Sequence, residues 1–391
     1  MVRRKSRLMV AGLFMGLTGL CLLLAACTGG VPTPPAIATT PMTPAPTAIP
    51  FTGQDVNLLV ASRGEVTMQR WTWMRSQPAY FGAVLHRGDT LALGPEATAL
   101  VLCDDLRVWQ VPAGSLQGVA NGCPPGELPD LRRTDGNLGP TRSVPEDIPY
   151  ILAPRATAIL TDTPLLRWHP VPGVVTYTVA VRGSGLAWTE EVTGTEVVYA
   201  GVPSLEPGDT YKLIVTADTG ISSEKEDAPG LGFRLLTEAE AAEVAAERTR
   251  IERLNLPEPG TALALAHYYA AWTGEGSSFH LLADAISQLE TLAVIDDATP
   301  GIYLTLGDLY RQARLLNEAD AAYKQAMEAA DAASDLETAA LARLALAEIY
   351  QPKRDLETEA NVRTWLDEAA AIFTKLGDTQ QADSIEETSE P

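Results

Sequence analysis

The hydrophobic pattern changes its period along the chain. Leu8 to Ala26 carries no charge and ends in small residues. From Val56 the apolar residues come in short stretches broken by glycine and proline, the pattern of an all-β region. Between residues 150 and 236 the alternation is regular. Val175, Tyr177, Val179 and Val181 fall on one face, with Thr176, Thr178, Ala180 and Arg182 on the other; Tyr211, Leu213, Val215 and Ala217 repeat it against Lys212, Thr216 and Asp218. Leu166 and Trp168 share one side of an earlier strand, and these faces predict the inside of a sandwich. At Thr237 the period becomes helical. Thr237 with Glu240 forms a capping box, Leu236 can staple onto Ala241, and Arg248, Arg250 and Arg253 favour the C-terminal end. Leu256 to Gly260, with two prolines, stops this helix. The changes divide the chain into a leader (1–26), a tether (27–52), a first β domain (53–123), a linker (124–149), a β-sandwich (150–236), a connecting helix (237–256) and helical repeats (260–386).

Arg3, Arg4, Lys5 and Arg7 precede the uncharged run, which gives the order of a secretory signal peptide. Leu24-Ala25-Ala26-Cys27 resembles the lipobox of bacterial lipoproteins. That resemblance implies acylation of Cys27 on sulfur and its exposure as the first residue after cleavage. An uncleaved helix is the other reading, since the run is near the minimum for spanning a bilayer; both export the rest of the chain. Residues 28–50 hold seven prolines, six threonines and no charge. Such a tract cannot form a core; as polyproline II it would reach roughly 70 Å, and it can be O-glycosylated.

Gly64-Glu65-Val66, Trp71, Gly82, Leu85, Gly88-Asp89-Thr90-Leu91, Gly94 and Ala99 to Leu102 are spaced in a way that resembles the FecR-like domain. The resemblance covers residues 55–122 and departs at Ala92-Leu93-Gly94 and at Asp104-Asp105. It implies an extracytoplasmic β module, without the cytoplasmic helix through which such proteins reach a sigma factor. His86, Asp89, Asp104 and Asp105 read as turn chemistry rather than as a polar site. Trp168, the run through Tyr177, and Leu205 to Tyr211 with Pro207-Gly208 resemble a fibronectin type III domain. This implies a tyrosine corner at Tyr211. Tyr303, Leu306, Gly307, Tyr310, Ala319, Tyr323 and Ala326 resemble a tetratricopeptide repeat. A looser copy precedes it (Leu265, Ala266, Tyr269, Ala285, Leu289), and another comes after it (Leu346, Ala347, Tyr350, Ala369, Phe373). Thr299 and Pro300 start the first helix of the central copy, and Ser334 with Glu337 caps the first helix of the third. An insertion at Pro352 to Asn361 separates the two helices of that third copy. The fold class expected is therefore two all-β domains followed by an all-α solenoid.

Charge is uneven. Residues 236–391 carry 29 acidic and 11 basic side chains, against a net charge of −21 for the whole chain. Such a surface repels nucleic acid and anionic headgroups and favours solubility or a basic partner. Cys21 leaves with the leader and Cys27 takes the lipid. Cys103 and Cys123 are the isolated pair that an exported protein oxidises to a disulfide; two sulfurs with no nearby histidine do not make a zinc shell. If the repeat register holds, His267, Asp308, Arg311 and Glu348 point into a concave binding surface, while Tyr269, Tyr310 and Tyr350 pack between helices. The opposing reading makes those four polar residues ordinary solvated positions. His267 and His280 are not spaced as metal ligands, and no glycine-rich phosphate loop or nucleophile elbow is found.

The sequence thus predicts a lipid-anchored, extracytoplasmic adaptor that binds an envelope protein or peptide, not an enzyme, with no cofactor, metal or nucleic acid. Two alternatives stand beside it. One is an envelope sensor working through a separate transmembrane partner; the other is an envelope hydrolase without a recognisable motif. Anchor and repeats are expected at opposite ends of a tethered rod.

Overall fold

The computed structural model describes residues 56–125, 147–183, 185–226, 231–274, 278–294, 299–351 and 356–389. The leader, Cys27, the tether and most of the linker lie outside them. The described residues belong to one compact unit.

The first β region holds β1 (Asn57–Arg63), β2 (Val66–Gln69), β3 (Gln77–Pro78), β4 (Val84–Leu85), β5 (Thr90–Leu93), β6 (Thr98–Leu102), β7 (Val108–Val111) and β8 (Leu116–Gly118), closed by a single turn, α1 (Val119–Gly122). They form two four-stranded sheets, ordered β4-β1-β6-β7 and β3-β2-β5-β8. Alternation explains the inner faces: Val66 and Met68, Leu91 and Leu93, and Ala99 and Val101 are buried. Gly64 turns β1 into β2 at φ +79°, with Ala97 Cα 3.1 Å from where a Cβ would stand, so only glycine fits there. Cys103 and Cys123 are joined by a disulfide. In the Asp104-Asp105 turn the left-handed position falls on Leu106 (φ 63°). The buried Asp104 carboxylate pairs with Arg87.

The second β region holds β9 (Ile151–Ala153), β10 (Thr157–Ile159), β11 (Leu165–Trp168), β12 (Thr176–Gly183), β13 (Leu186–Thr193), β14 (Glu196–Val198), β15 (Thr210–Ala217) and β16 (Phe233–Leu235). A three-stranded sheet, β14-β11-β9, faces a five-stranded one, β10-β16-β15-β12-β13. Trp168, Tyr177, Val179, Val181, Tyr211, Leu213 and Val215 fill the space between them. Val175 departs from the expected face. It precedes β12 and is 64% exposed. The Tyr211 hydroxyl accepts from Glu206 N at 2.7 Å.

The helices are α2 (Glu238–Glu252), α3 (Glu258–Ala271), α4 (Leu282–Ala293), α5 (Pro300–Gln312), α6 (Leu316–Ala333), α7 (Leu336–Tyr350), α8 (Leu356–Leu376) and α9 (Thr379–Ser389). The capping box of α2 is present in both directions. Two other expected starts differ. Thr299 precedes α5, but its hydroxyl donates to the Phe81 carbonyl. Ser334 does not cap α7: it ends α6 in the left-handed conformation (φ 58°), so the cap passes to Asp335, which accepts from Thr338 N at 3.1 Å. The expected insertion is also shorter, because α8 already begins at Leu356. Between α5 and α6 the contact is close. A Cβ on Gly307 would stand 2.5 Å from the Tyr323 ring, so the absent side chain is what lets the two helices approach.

The helices do not stand apart as the end of a rod. A Cβ on Gly260 would lie 2.6 Å from the Val60 carbonyl, which measures how closely α3 approaches β1. One hydrophobic core joins Leu58, Val60 and Leu102 of the first β region to Leu263, Leu289 and Ile302 of the helices. A second joins Leu85, Leu91 and Val101 to Ala340, Phe373, Leu376 and Ile385. The first β region therefore has both of its cores in common with helices, whereas the sandwich has a core of its own and adds Tyr150 and Ala158 to the first shared one. The sandwich meets the helices through polar contacts as well. Arg155, buried, donates to the Ala313 carbonyl at 3.0 Å, pairs with Glu226 and lies 4.4 Å over the Tyr150 ring. The Thr157 hydroxyl accepts from Ala283 N at 3.1 Å and supplies the cap that Leu281 cannot give α4.

Candidate binding surfaces

Three of the four residues expected in the helical groove are brought together. Asp308 and Arg311 lie one turn apart on α5, and Glu348 faces them from α7. Arg311 Nη1 donates to Glu348 Oε2 at 2.9 Å. The Tyr323 hydroxyl, from α6, donates to Asp308 Oδ1 at 2.7 Å. Burial pushes the Tyr323 hydroxyl far above its usual range, and the Asp308 carboxylate adds to the shift. Burial works against the Arg311 cation, but Tyr323, Asp308 and Glu348 outweigh it and hold its pKa above the ordinary value. The result is a polarised ridge with Glu348 the most exposed member, 61% of its side chain being open. His267 is elsewhere, half-buried on α3, which packs on α2, α4 and β1. Of the three tyrosines expected between helices, Tyr269 is buried, while Tyr310 and Tyr350 are half-buried.

Beside this ridge, Lys324 pairs with Asp320 at 2.8 Å and lies 5.8 Å from the Tyr350 ring, which is tilted against Trp365 at 5.4 Å. On α6–α8 there is also a depression of about 420 Å³ floored by Leu336, Ala339 and Ile372. Arg343 spans it, bonded to Asp331 at 2.9 Å and to Glu368 at 2.7 Å.

A third cluster fixes the first β region to the helices, and sequence reasoning missed it. Arg70 Nη1 donates to Asp89 Oδ2 at 2.5 Å, its Nη2 donates to Glu337 Oε2 at 2.7 Å and to the Val84 carbonyl at 3.0 Å, and its guanidinium lies 5.3 Å from the Trp73 ring. Glu337, read from sequence as a cap, is drawn into this pair instead. Around it, the Tyr80 hydroxyl donates to the Ala333 carbonyl, Thr72 to Asp378, and Met74 N to the Leu376 carbonyl. One guanidinium serves two carboxylates, which leaves a net negative charge. Burial of Asp89 accordingly outweighs the attraction of Arg70 and raises its pKa to about 6. Arg70 itself stays protonated: burial opposes its charge, but Glu337 and Asp89 prevail. His86 N also donates to Asp89, at 2.8 Å, which is the turn role expected of that aspartate.

Among the described residues no three His, Cys, Asp or Glu side chains are grouped so as to hold a metal ion, and no helix is long and apolar enough to cross a membrane. The fold defines a protein with β-sheet regions in its first half and a packed, all-helical C-terminal region. Compared with protein-family models and with curated proteins, the chain gives no match.

Proposed function

We propose that this chain is an extracytoplasmic lipoprotein, anchored through Cys27, whose helical region binds an envelope protein or peptide as a non-catalytic adaptor. In this reading the first β region is FecR-like, the sandwich is of fibronectin type III kind, and α3–α8 are three tetratricopeptide-like pairs. Supporting the repeat reading is the fit of Gly307 against Tyr323, at the two positions where that repeat pattern puts a small and a large residue. The observation that carries the functional reading is the Asp308, Arg311 and Glu348 ridge across α5 and α7. Its charges are fixed by neighbours on three helices, so a partner meets a preorganised surface and loses little in ordering it.

The test is retention of envelope proteins by the full chain after Pro50, compared with the same chain carrying Arg311→Glu and Glu348→Lys. The swap keeps an ion pair between α5 and α7 but sets a second carboxylate beside Asp308, so an unchanged helical circular dichroism signal and urea midpoint come first; with the fold intact, loss of retention of the specific partner is expected. Undiminished retention rejects the ridge. Separately, loss of membrane retention on Cys27→Ala, with cleavage of the leader blocked, is expected, and normal processing of that variant rejects the anchor.

A further inference from the structure

From the open edge of the sandwich, we infer a second interaction surface, independent of the helices: the free edge of β13 takes up an extended segment of another protein that carries two adjacent basic residues. Among the described residues β13 pairs with β12 alone, in unbroken register from Thr176 opposite Thr193 to Gly183 opposite Leu186. Gly194 N donates to the Val175 carbonyl at 3.4 Å. Hydrogen-bonded and non-bonded pairs alternate along an antiparallel ladder. Val192, Glu190 and Trp188 therefore bond to β12, while Ala187, Thr189, Glu191 and Thr193 turn their backbone N–H and C=O groups outward.

An edge of this length is a template for strand addition unless it is blunted by a bulge, a proline or charge. β13 has neither bulge nor proline. Its guard is the pair Glu190 and Glu191, both exposed, and neither is bonded to a cation among the described residues. They stand on opposite faces. Glu190 lies opposite the buried Val179 and so faces inward; Glu191 lies opposite the exposed Thr178 and so faces outward.

This placement decides what the edge accepts. In a second copy paired about this centre, glutamates would oppose glutamates, which is destabilising. A wholly apolar strand would bury Glu190 uncompensated. A strand with two neighbouring lysines or arginines answers both carboxylates, one on each face. On the inner face it meets half-buried apolar side chains as well. Trp188, edge-on to Tyr199 at 5.0 Å, and Val192 lie along β13. Val197 lies on β14, which pairs with β11 alone among the described residues. The fitting segment thus has apolar or β-branched residues flanking its basic pair; main-chain bonds supply affinity and the charges select.

The probe is the capped heptapeptide Thr-Val-Lys-Lys-Thr-Val-Thr, titrated onto the full chain at low salt, with its Glu-Glu counterpart as control. Saturable binding of the Lys-Lys peptide alone is expected, with amide-exchange protection at Ala187, Thr189, Glu191 and Thr193. Thr189→Pro removes one outward N–H and no main-chain bond to β12, and should weaken binding at least tenfold relative to Thr189→Val, which matches its loss of the hydroxyl bonded to Arg182. The double variant Glu190→Lys, Glu191→Lys, which keeps the strand, should reverse the preference between the peptides. No binding of either peptide means that the two glutamates only guard the edge, and it overturns the inference. Equal affinity for the reversed variant, or protection confined to the helices, overturns it as well.

Discussion

Replacing Arg70 by alanine tests whether the first β region and the helices form one cooperative structure. The substitution removes the cation bonded to Asp89, whose side chain is fully buried, and strips Glu337 of its two hydrogen bonds. Breaking a buried pair by removing one partner costs about 3–5 kcal/mol, because a charge is left without compensation. Two features lower that figure. Glu337 keeps 17% of its side chain open to water, and Asp89 already titrates at about 6, so without Arg70 it escapes part of the penalty by taking a proton. About 3 kcal/mol near pH 8 is therefore expected, falling as the pH is lowered. The sign comes from the raised pKa. The neutral form is favoured in the folded protein, so its contribution is complete below the unfolded carboxylate range and is lost as pH rises through about 6. Urea unfolding monitored by tryptophan fluorescence reads the change, since Trp73 is buried against Arg70. A shared core predicts a single shifted transition. Asp89→Asn in the same background should recover most of the loss at pH 8. A cost below about 1 kcal/mol, the same at pH 5 and 8 and indifferent to Asp89→Asn, would refute the reasoning.

Gly307→Ala should destabilise by about 1–3 kcal/mol, the usual cost of overpacking. Tyr323 is buried and tied to Asp308, so its ring cannot yield; an unchanged urea midpoint would contradict this. Asp284, raised to about 7 by burial, makes stability fall as pH rises from 5 to 8. Asp284→Asn should flatten that part of the profile, and an unaltered profile would exclude this carboxyl as the source. At the acid end Glu240, held to about 2 by Arg234, works in the opposite sense, losing its stabilisation only as pH drops below the ordinary carboxylate range. Cys103→Ser with Cys123→Ser opens a loop with a separation of 20 residues and should cost about 3 kcal/mol, measured as the difference between the variant and the oxidised protein in urea.

Local pattern foretold local structure. The alternation through Tyr177 and through Tyr211 set the inner faces of β12 and β15, and the Thr237 and Glu240 pair marked the start of α2. Each is a relation among residues close in sequence. Periodicity says which face is apolar but not what covers it. Leu58 and Leu91 both look like ordinary strand interiors, yet they enter different cores and meet different helices. The same limit explains the polar errors. Ser334 and Glu337 have the spacing of a capping box, but the left-handed end of α6 and the reach of Arg70 assign them other tasks. Asp308 and Arg311 lie one turn apart on one helix, which local spacing gives; it is the packing of α5, α6 and α7 that brings Glu348 to them and leaves His267 elsewhere.

The sharing of both cores by the first β region has a consequence for the order in which the chain can fold. Arg70 and Glu337 are separated by 267 residues, and Thr72 and Asp378 by 306. Closing loops of that length comes before the contacts that reward it, so assembly of this part is slow. The strands synthesised first cannot bury Leu85 and Leu91 completely until the helices synthesised last arrive. The sandwich between them can pack its own core early, but Tyr150, Arg155 and the strand of Thr157 and Ala158 also wait for the helices they contact. A chain cut short before α7 would thus display an unfinished N-terminal region, open to proteases, although every residue of that region had been made. The C-terminal helices act as the clasp that closes the first β region.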